Sequence, residues 1–280
     1  MKRIQKIILS FILIQGIFSM ALSASAECYI EYEDVVRVLA DGWEYDGKVI
    51  EKNDTAYVSL REFACMADNS VVSWDEDSRM AYVTTDSLEL SVSEENDYIE
   101  ANGRALWCEN GVFMIEGTLF VPLGKIAKAF GFGRSYSAAE HTTYLVRERA
   151  SIESGDEYYD EEELYWMAKI INAESGGEPF LGKIAVGNVI LNRVESDEFP
   201  DSIYSVIFDN KNGVQFTPTV NGAINNEANE ESVLAAKICL EDSSLSDDIL
   251  YFLNEDLAES KWIVENCRYV MTIGEHDFYA

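Results

Sequence analysis

The residues whose types and spacing best suit chemistry lie in positions 164–180, LYWMAKIINAESGGEPF. Read as a helix, Leu164, Met167, Ile170, Ile171 and Glu174 share one stripe at spacings of three and four. Four of these are apolar and the fifth is a carboxylic acid. Gly176-Gly177 follows as a stop signal, and Pro179 suits the first turn of a new helix. Glu174 is therefore expected on the buried side of a helix, in its last turn. Apolar neighbours and the negative end of the helix dipole both disfavour the ionised carboxylate there. A glutamate so placed stays protonated near neutral pH and can serve as a general acid. A Glu at a helix end that points into solvent is the competing reading.

Other chemistries find less to work with. The chain has two histidines, His141 and His276, too few for a zinc amidase that needs paired imidazoles. No G-x-S-x-G elbow, Walker loop or G-x-G-x-x-G is present. A thiol hydrolase could pair Cys267 or Cys239 with His276, but neither cysteine opens a helix that would stabilise a thiolate. Carboxylate acid–base chemistry is left, with Glu174 best placed and no cofactor or metal called for.

Among the elements around this acid, residues 1–26 read as a secretory signal. Lys2, Arg3 and Lys6 precede an apolar run, and Ala24-Ser25-Ala26 offers a cleavage site. An uncleaved N-terminal anchor is the alternative. Removing this segment leaves 18 Lys and Arg against 51 Asp and Glu, a net charge of −33. Nucleic acid and anionic membrane surfaces are poor partners at that charge, whereas a neutral polysaccharide is indifferent to it. Export would permit disulfides among Cys28, Cys65, Cys108, Cys239 and Cys267, with Cys239–Cys267 the pair considered.

Residues 27–149 hold an internal repeat. TAYVSLREFACMA at 55–67 recurs as TLFVPLGKIAKAF at 118–130, and each copy leads into a hairpin ending at Tyr82 or Tyr144. Asp46-Gly47 and Asn102-Gly103 mark similar turns ahead of each copy. One copy has too little core alone, so two are expected to pack into one α+β module. Residues 150–160 read as an acidic linker, with Asp160 capping a helix from 161 onward. A second, buried helix is expected over 179–194, where Gly182 and Gly187 would let a neighbour approach closely. Further expectations are a short helix capped by Asp201 or Ser202, a long polar loop over 210–226, a helix over 232–240, and strands over 249–254 and 268–273. Gln215 beside Phe216 in that loop pairs an amide with an aromatic, as sugar sites do; an ordinary surface loop is the alternative.

The repeat resembles the copper amine oxidase N-terminal-like, or stalk, domain of exported bacterial surface proteins. His141 is its single histidine, so no copper site carries over. The resemblance implies a spacer or a module that contacts wall or protein. The motifs IINAESGGEPFLGKIAVGNVILNRVES, QFTP, ILYFLN and VMTIGEHDFY resemble, in order, the SleB-type cell wall hydrolases, the spore cortex-lytic enzyme family. That resemblance spans roughly residues 164–280, within a domain expected over 161–280. It implies a mainly helical, lysozyme-like α+β domain with a small sheet, acting on peptidoglycan glycan strands outside the cytoplasm. The family's A-E-A-R-G-E motif stands here as Ala173-Glu174-Ser175-Gly176-Gly177-Glu178, with Ser175-Gly176 where Ala-Arg is usual. It implies Glu174 as the catalytic acid of a lytic transglycosylase, with hydrolysis if water is activated instead. Glu178, Gln215, Phe216, Tyr251, Asn254, Trp262 and His276 are the substrate-contact candidates. Glu178 is also read as a helix cap, and His276 as packing beneath the cleft. An amidase and a non-catalytic wall-binding protein are the rival functions.

Overall fold

A computed structural model describes residues 36–280, apart from 212, 242, 259 and 260. The expected export signal lies outside these residues. Among the described residues, no helix is long and apolar enough to cross a membrane.

The N-terminal half is built of strands β1 (Arg37–Ala40), β2 (Trp43–Glu44), β3 (Val49–Lys52) and β4 (Thr55–Ser59), helix α1 (Leu60–Ala64), then β5 (Val71–Asp75), β6 (Met80–Thr84), β7 (Glu89–Ser93), β8 (Tyr98–Ala101), β9 (Arg104–Trp107), β10 (Phe113–Ile115), β11 (Thr118–Pro122), α2 (Leu123–Ala129), β12 (Phe132–Ser137) and β13 (Thr142–Arg147). The repeat is visible in the architecture. Strand β4 followed by α1 matches β11 followed by α2, and the two strands pair antiparallel with Val58 opposite Val121. The 63-residue repeat offset maps one of these valines onto the other, so a local two-fold runs through that pair. Phe63, Phe130 and Phe132 meet at 5.4 and 6.1 Å in the shared core. The hairpins β5–β6 and β12–β13 are likewise equivalent.

Strands β7, β8 and β9 extend the first hairpin into a five-stranded sheet and have no counterpart in the second copy. The expected turns differ accordingly. Asn102-Gly103 joins β8 to β9 with both residues at positive φ (48° and 78°), the requirement of a two-residue hairpin. Asp46-Gly47 is a bend outside any hairpin.

The C-terminal half contains α3 (Gly155–Tyr158), α4 (Glu161–Ser175), α5 (Phe180–Glu195), α6 (Ile203–Ile207), α7 (Pro218–Asn221), a 3₁₀ turn at Ala223–Asn225, α8 (Glu230–Leu240), β14 (Tyr251–Leu253), α9 (Trp262–Asn266), β15 (Tyr269–Ile273) and β16 (His276–Tyr279). The polar 210–226 stretch is thus partly helical, and α9 falls where the sequence carries no strong periodicity. The small sheet has the order β14–β16–β15, all antiparallel. Helix α5 is apolar on almost every side and is the central helix, packed by α4, α6 and α8. The close approach expected at its glycines is present. A Cβ at Gly187 would lie 2.5 Å from Cys239 Sγ and 3.1 Å from Ile171 Cδ1. Gly187→Ala should therefore cost about 1–3 kcal/mol by overpacking. Adding Cys239→Ala should restore most of that, measured as a double-mutant cycle of urea midpoints. Cys239 is fully buried and free, as is partly exposed Cys267, so the Cys239–Cys267 disulfide considered above does not form.

The two halves share a buried seam. Ala105 and Trp107 of β9 belong to the same core as Met167, Ile184 and Ala235, and Trp107 packs against Phe180 at 6.3 Å. At its centre is Glu241, just past α8, whose carboxylate is fully buried. It accepts from Arg104 Nε and Nη2 (2.5 and 2.7 Å), Lys128 Nζ (2.8 Å) and Tyr159 Oη (3.0 Å). Tyr159 Oη in turn accepts from the Ala105 amide, and the Arg104 guanidinium lies 3.2 Å from the Tyr158 ring centroid. Residues 150–160 are therefore no free linker. Ile152 packs into the N-terminal core and Tyr159 into the seam.

Candidate active site

Helix α4 begins as its sequence dictates. Asp160 accepts from the amides of Glu162 and Glu163, and three glutamates occupy the first turn, where the helix dipole favours them. Met167, Ile170 and Ile171 are buried against the rest of the domain. The opposite edge is pinned by polar contacts. Lys169 Nζ donates to the carbonyls of Asn225 and Asn226, while Asn172 bonds the amide of Asn229 and the carbonyl of Glu227. The last turn of α4 is consequently held from both sides.

Glu174 sits in that last turn, half-buried. Burial pushes its carboxyl up to about 7, and no charged partner contributes. Among the described residues it has no hydrogen-bond partner. The helix ends at Ser175, whose Oγ donates back to the Ile171 carbonyl. Gly176 keeps right-handed backbone (φ −57°), so the stop is not a left-handed glycine cap. A Cβ at Gly177 would meet nothing within 4 Å, so the backbone just past the helix borders open space.

Glu178 does not cap α5, which starts behind Pro179 with no side-chain cap. Its Oε2 accepts from the Glu275 amide at 2.8 Å and so fastens the turn between β15 and β16. A side chain at Gly274 (φ +62°) would overlap that carboxylate and the Pro179 ring, so the turn admits only glycine. The Glu178 carbonyl accepts from buried Lys183 Nζ at 2.6 Å, which also bridges to Glu231 at 3.1 Å. Glu178 is thereby tied to the hairpin, and its substrate-contact expectation gives way to an anchoring position.

Three of the other candidates, Gln215, Phe216 and Tyr251, gather around Arg193, which the sequence presents only as the polar end of a helix. This arginine of α5 is 5% exposed. Its Nε donates to the Leu250 carbonyl at 2.7 Å and Nη1 to Gln215 Oε1 at 3.3 Å. Its guanidinium lies 4.8, 5.3 and 5.4 Å from the ring centroids of Phe199, Phe216 and Tyr251. Burial lowers its pKa to about 10. Arg193 thus ties the 209–217 loop to β14. One turn back, Asn188 bonds the Ser243 carbonyl and the Leu245 amide, and Asn192 the carbonyls of Ser246 and Ile249. The i, i+4, i+5 spacing of two amides and a guanidinium was the available signal. Arg193→Lys keeps the charge but loses the fork. It should cost about 1.5–3 kcal/mol in urea unfolding.

Of the predicted contacts, Gln215 is half-exposed and oriented by Arg193. Tyr251 is half-buried between Phe199 (6.1 Å) and the 55% exposed Trp262 (6.0 Å). Phe216, by contrast, is 2% exposed and packs toward Phe252 at 6.4 Å; it is core, not a sugar-facing ring. Asn254 Oδ1 accepts from the Asp256 amide and shapes the turn after β14. His276 packs on Phe252 at 5.2 Å, and burial lowers its pKa. It is half-buried, with its ring against Phe252 and Phe278. Tyr279 donates to Glu255 at 2.6 Å. Among the described residues no cluster of three or more His, Cys, Asp or Glu side chains is arranged to hold a metal.

Comparison with known proteins bears on both halves. Residues 177–279 match the cell wall hydrolase family, beginning just past Glu174, and residues 40–145 match the copper amine oxidase N-terminal domain. A spore cortex-lytic enzyme of Bacillus cereus is 37% identical over 120 residues, covering 43% of this chain and 45% of that protein. One from Halalkalibacterium halodurans is 34% identical, covering 43% and 35%. The chain thus spans less than half the length of these curated relatives. Among solved structures, the catalytic domain of the germination-specific lytic transglycosylase SleB from Bacillus anthracis is 35% identical, covering 46% of this chain and 100% of that one, with a TM-score of 0.41.

Proposed function

Because the C-terminal half of this chain belongs to the cell wall hydrolase family, with a copper amine oxidase N-terminal domain before it, we propose that the protein degrades peptidoglycan. It cleaves the glycan strand after N-acetylmuramic acid as a lytic transglycosylase, with Glu174 as its one acid–base group. Residues 1–26 export it to the wall or spore cortex where that substrate lies.

The observation that carries this reading is the half-buried Glu174 carboxyl, raised to about 7 by burial alone. Its proton goes to the glycosidic oxygen as the C1–O bond breaks and positive charge builds at C1. The carboxylate left behind takes the proton of the sugar's own C6 hydroxyl, and O6 closes on C1. The product is a 1,6-anhydro ring, no water is consumed, and Glu174 ends protonated for the next cycle. Glu178 is occupied with the Glu275 amide, which leaves a single-carboxylate route as the economical one. Gln215, Tyr251 and Trp262 supply the hydrogen bonding and ring surface of the cleft.

Mass spectrometry of peptidoglycan digested by the full chain tests the proposal. Anhydro-muramic ends are expected. New reducing ends would mean hydrolysis, free stem peptides an amidase, and no products a binding protein.

A further inference from the structure

Buried Lys183 takes no part in the chemistry above, yet it occupies an unfavourable place for a cation. Its side chain is 2% exposed, and it stands in the first turn of α5, where the helix dipole opposes a positive charge. An apolar residue would fill the same space without either penalty. The ammonium holds two groups at once. It donates to the Glu178 carbonyl at 2.6 Å and pairs at 3.1 Å with Glu231, in the first turn of α8.

The Glu178 contact bears on Glu174. Helix α4 stops one residue past Glu174, and the last carbonyls of a helix have no helical donors. Gly176 and Gly177 follow, a pair with large backbone freedom. The turn beyond the helix is closed by the Glu178 amide on the Ser175 carbonyl at 2.9 Å. Glu178 is itself fixed twice, by Lys183 on its carbonyl and by the Glu275 amide on its carboxylate. Glu275 is exposed to water and Lys183 is not, so the charge-assisted Lys183 bond is the stronger anchor.

We propose that Lys183 is a positioning residue for Glu174: by clamping the Glu178 carbonyl it keeps the last turn of α4 from fraying and the Glu174 carboxyl from swinging into water. This rests on the acid role given to Glu174 above. The clamp acts through the backbone, since no charged group bears on the Glu174 carboxyl.

The test compares the full-length parent with Lys183→Met and Glu231→Gln. Methionine fills the site without a donor, whereas Glu231→Gln spares the carbonyl bond and weakens the ion pair alone. In Lys183→Met the alkaline limb of kcat/KM on solubilised glycan strands should move down by about one pH unit, a loss of about tenfold at pH 8. At about pH 5, on the acid side of both limbs, activity should stay within about twofold of the parent, with KM unchanged. Glu231→Gln should lower the urea midpoint and leave the limb in place. A second readout needs no catalysis. Parent and Lys183→Met chains, each with and without Glu174→Gln, are unfolded in urea across the same pH range. The stability gap that Glu174→Gln opens as pH rises should level off about one pH unit earlier in the Lys183→Met background. His276, which interacts with Glu178, is common to all four chains and cancels. Should Lys183→Met fail to fold, Lys183→Gln, a shorter donor, should move both readouts the same way by less. An unmoved limb and gap, equal losses at both ends of the pH range, or the same limb shift in Glu231→Gln would overturn the proposal. So would an upward shift, the sign expected if the ammonium acted on Glu174 by charge. A shifted gap in a chain whose parent cleaves nothing would leave the clamp standing and remove the catalytic reading instead.

Discussion

Glu174→Gln will abolish glycan cleavage and at the same time make the folded chain more stable at neutral and alkaline pH. The amide keeps the shape of the side chain but has no proton of suitable acidity, so the loss should be at least about 10²–10⁴-fold. The stability gain follows from the same burial. The folded carboxyl titrates near 7 and an ordinary one near 4.5, so the fold disfavours the charged form. Below pH 4.5 both states hold the proton and the variant gains nothing. As pH rises through 7 the wild type loses about 3 kcal/mol that the glutamine variant keeps. Urea unfolding of both chains from pH 4 to pH 8.5 should show the two stability curves diverging in that window. Parallel curves would mean that Glu174 is not a buried acid. Wild-type kcat/KM should fall about tenfold per pH unit above 7, where the acid form is depleted.

Glu241→Ala will have the largest structural effect. Burial alone would raise this carboxyl, but hydrogen bonds from Arg104 and Lys128 outweigh that and hold it below the usual range. Removing it leaves the buried Arg104 guanidinium without its anion, a situation that typically costs about 3–5 kcal/mol. The loss should appear as a lowered urea midpoint for the full chain. The pH dependence has the opposite sign to that of Glu174. A depressed carboxyl contributes stability above its unfolded pKa, and this is lost as pH falls through the folded value. The wild-type seam is therefore acid-labile, and the difference between wild type and Glu241→Ala should shrink below pH 4.5. A constant difference across that range would show that packing, not the ion pair, holds the seam.

The two carboxylates differ in how far their positions can be read from the chain itself. Glu174 is legible because everything that places it is local: the Asp160 cap, the three- and four-residue apolar spacing, and the glycines that follow. The repeat is legible for the same reason, since Val58 and Val121 stand in copied strings. Glu241 is not, because its partner Arg104 is 137 residues away and belongs to a strand the repeat does not account for. The expectation of a linker over 150–160 fails with it, as acidic composition says nothing of where Ile152 and Tyr159 come to rest. Phe216 and Arg193 mislead in the same way. An aromatic in a polar loop looks exposed and an arginine at a helix end looks solvated, yet packing buries them against each other.

The sequence by itself determined the long helices α4, α5 and α8, the repeat, the position of Glu174 one turn from a helix end and the strongly acidic charge balance. Periodicity, capping and composition depend only on neighbours along the chain. The tertiary structure alone decided how far Glu174 is withdrawn from water, that Arg193 orients Gln215, that Cys239 packs against Gly187 instead of bonding Cys267, and that Glu241 joins the two halves. Each of these depends on distant segments meeting, and desolvation and ion pairing exist only once they have met.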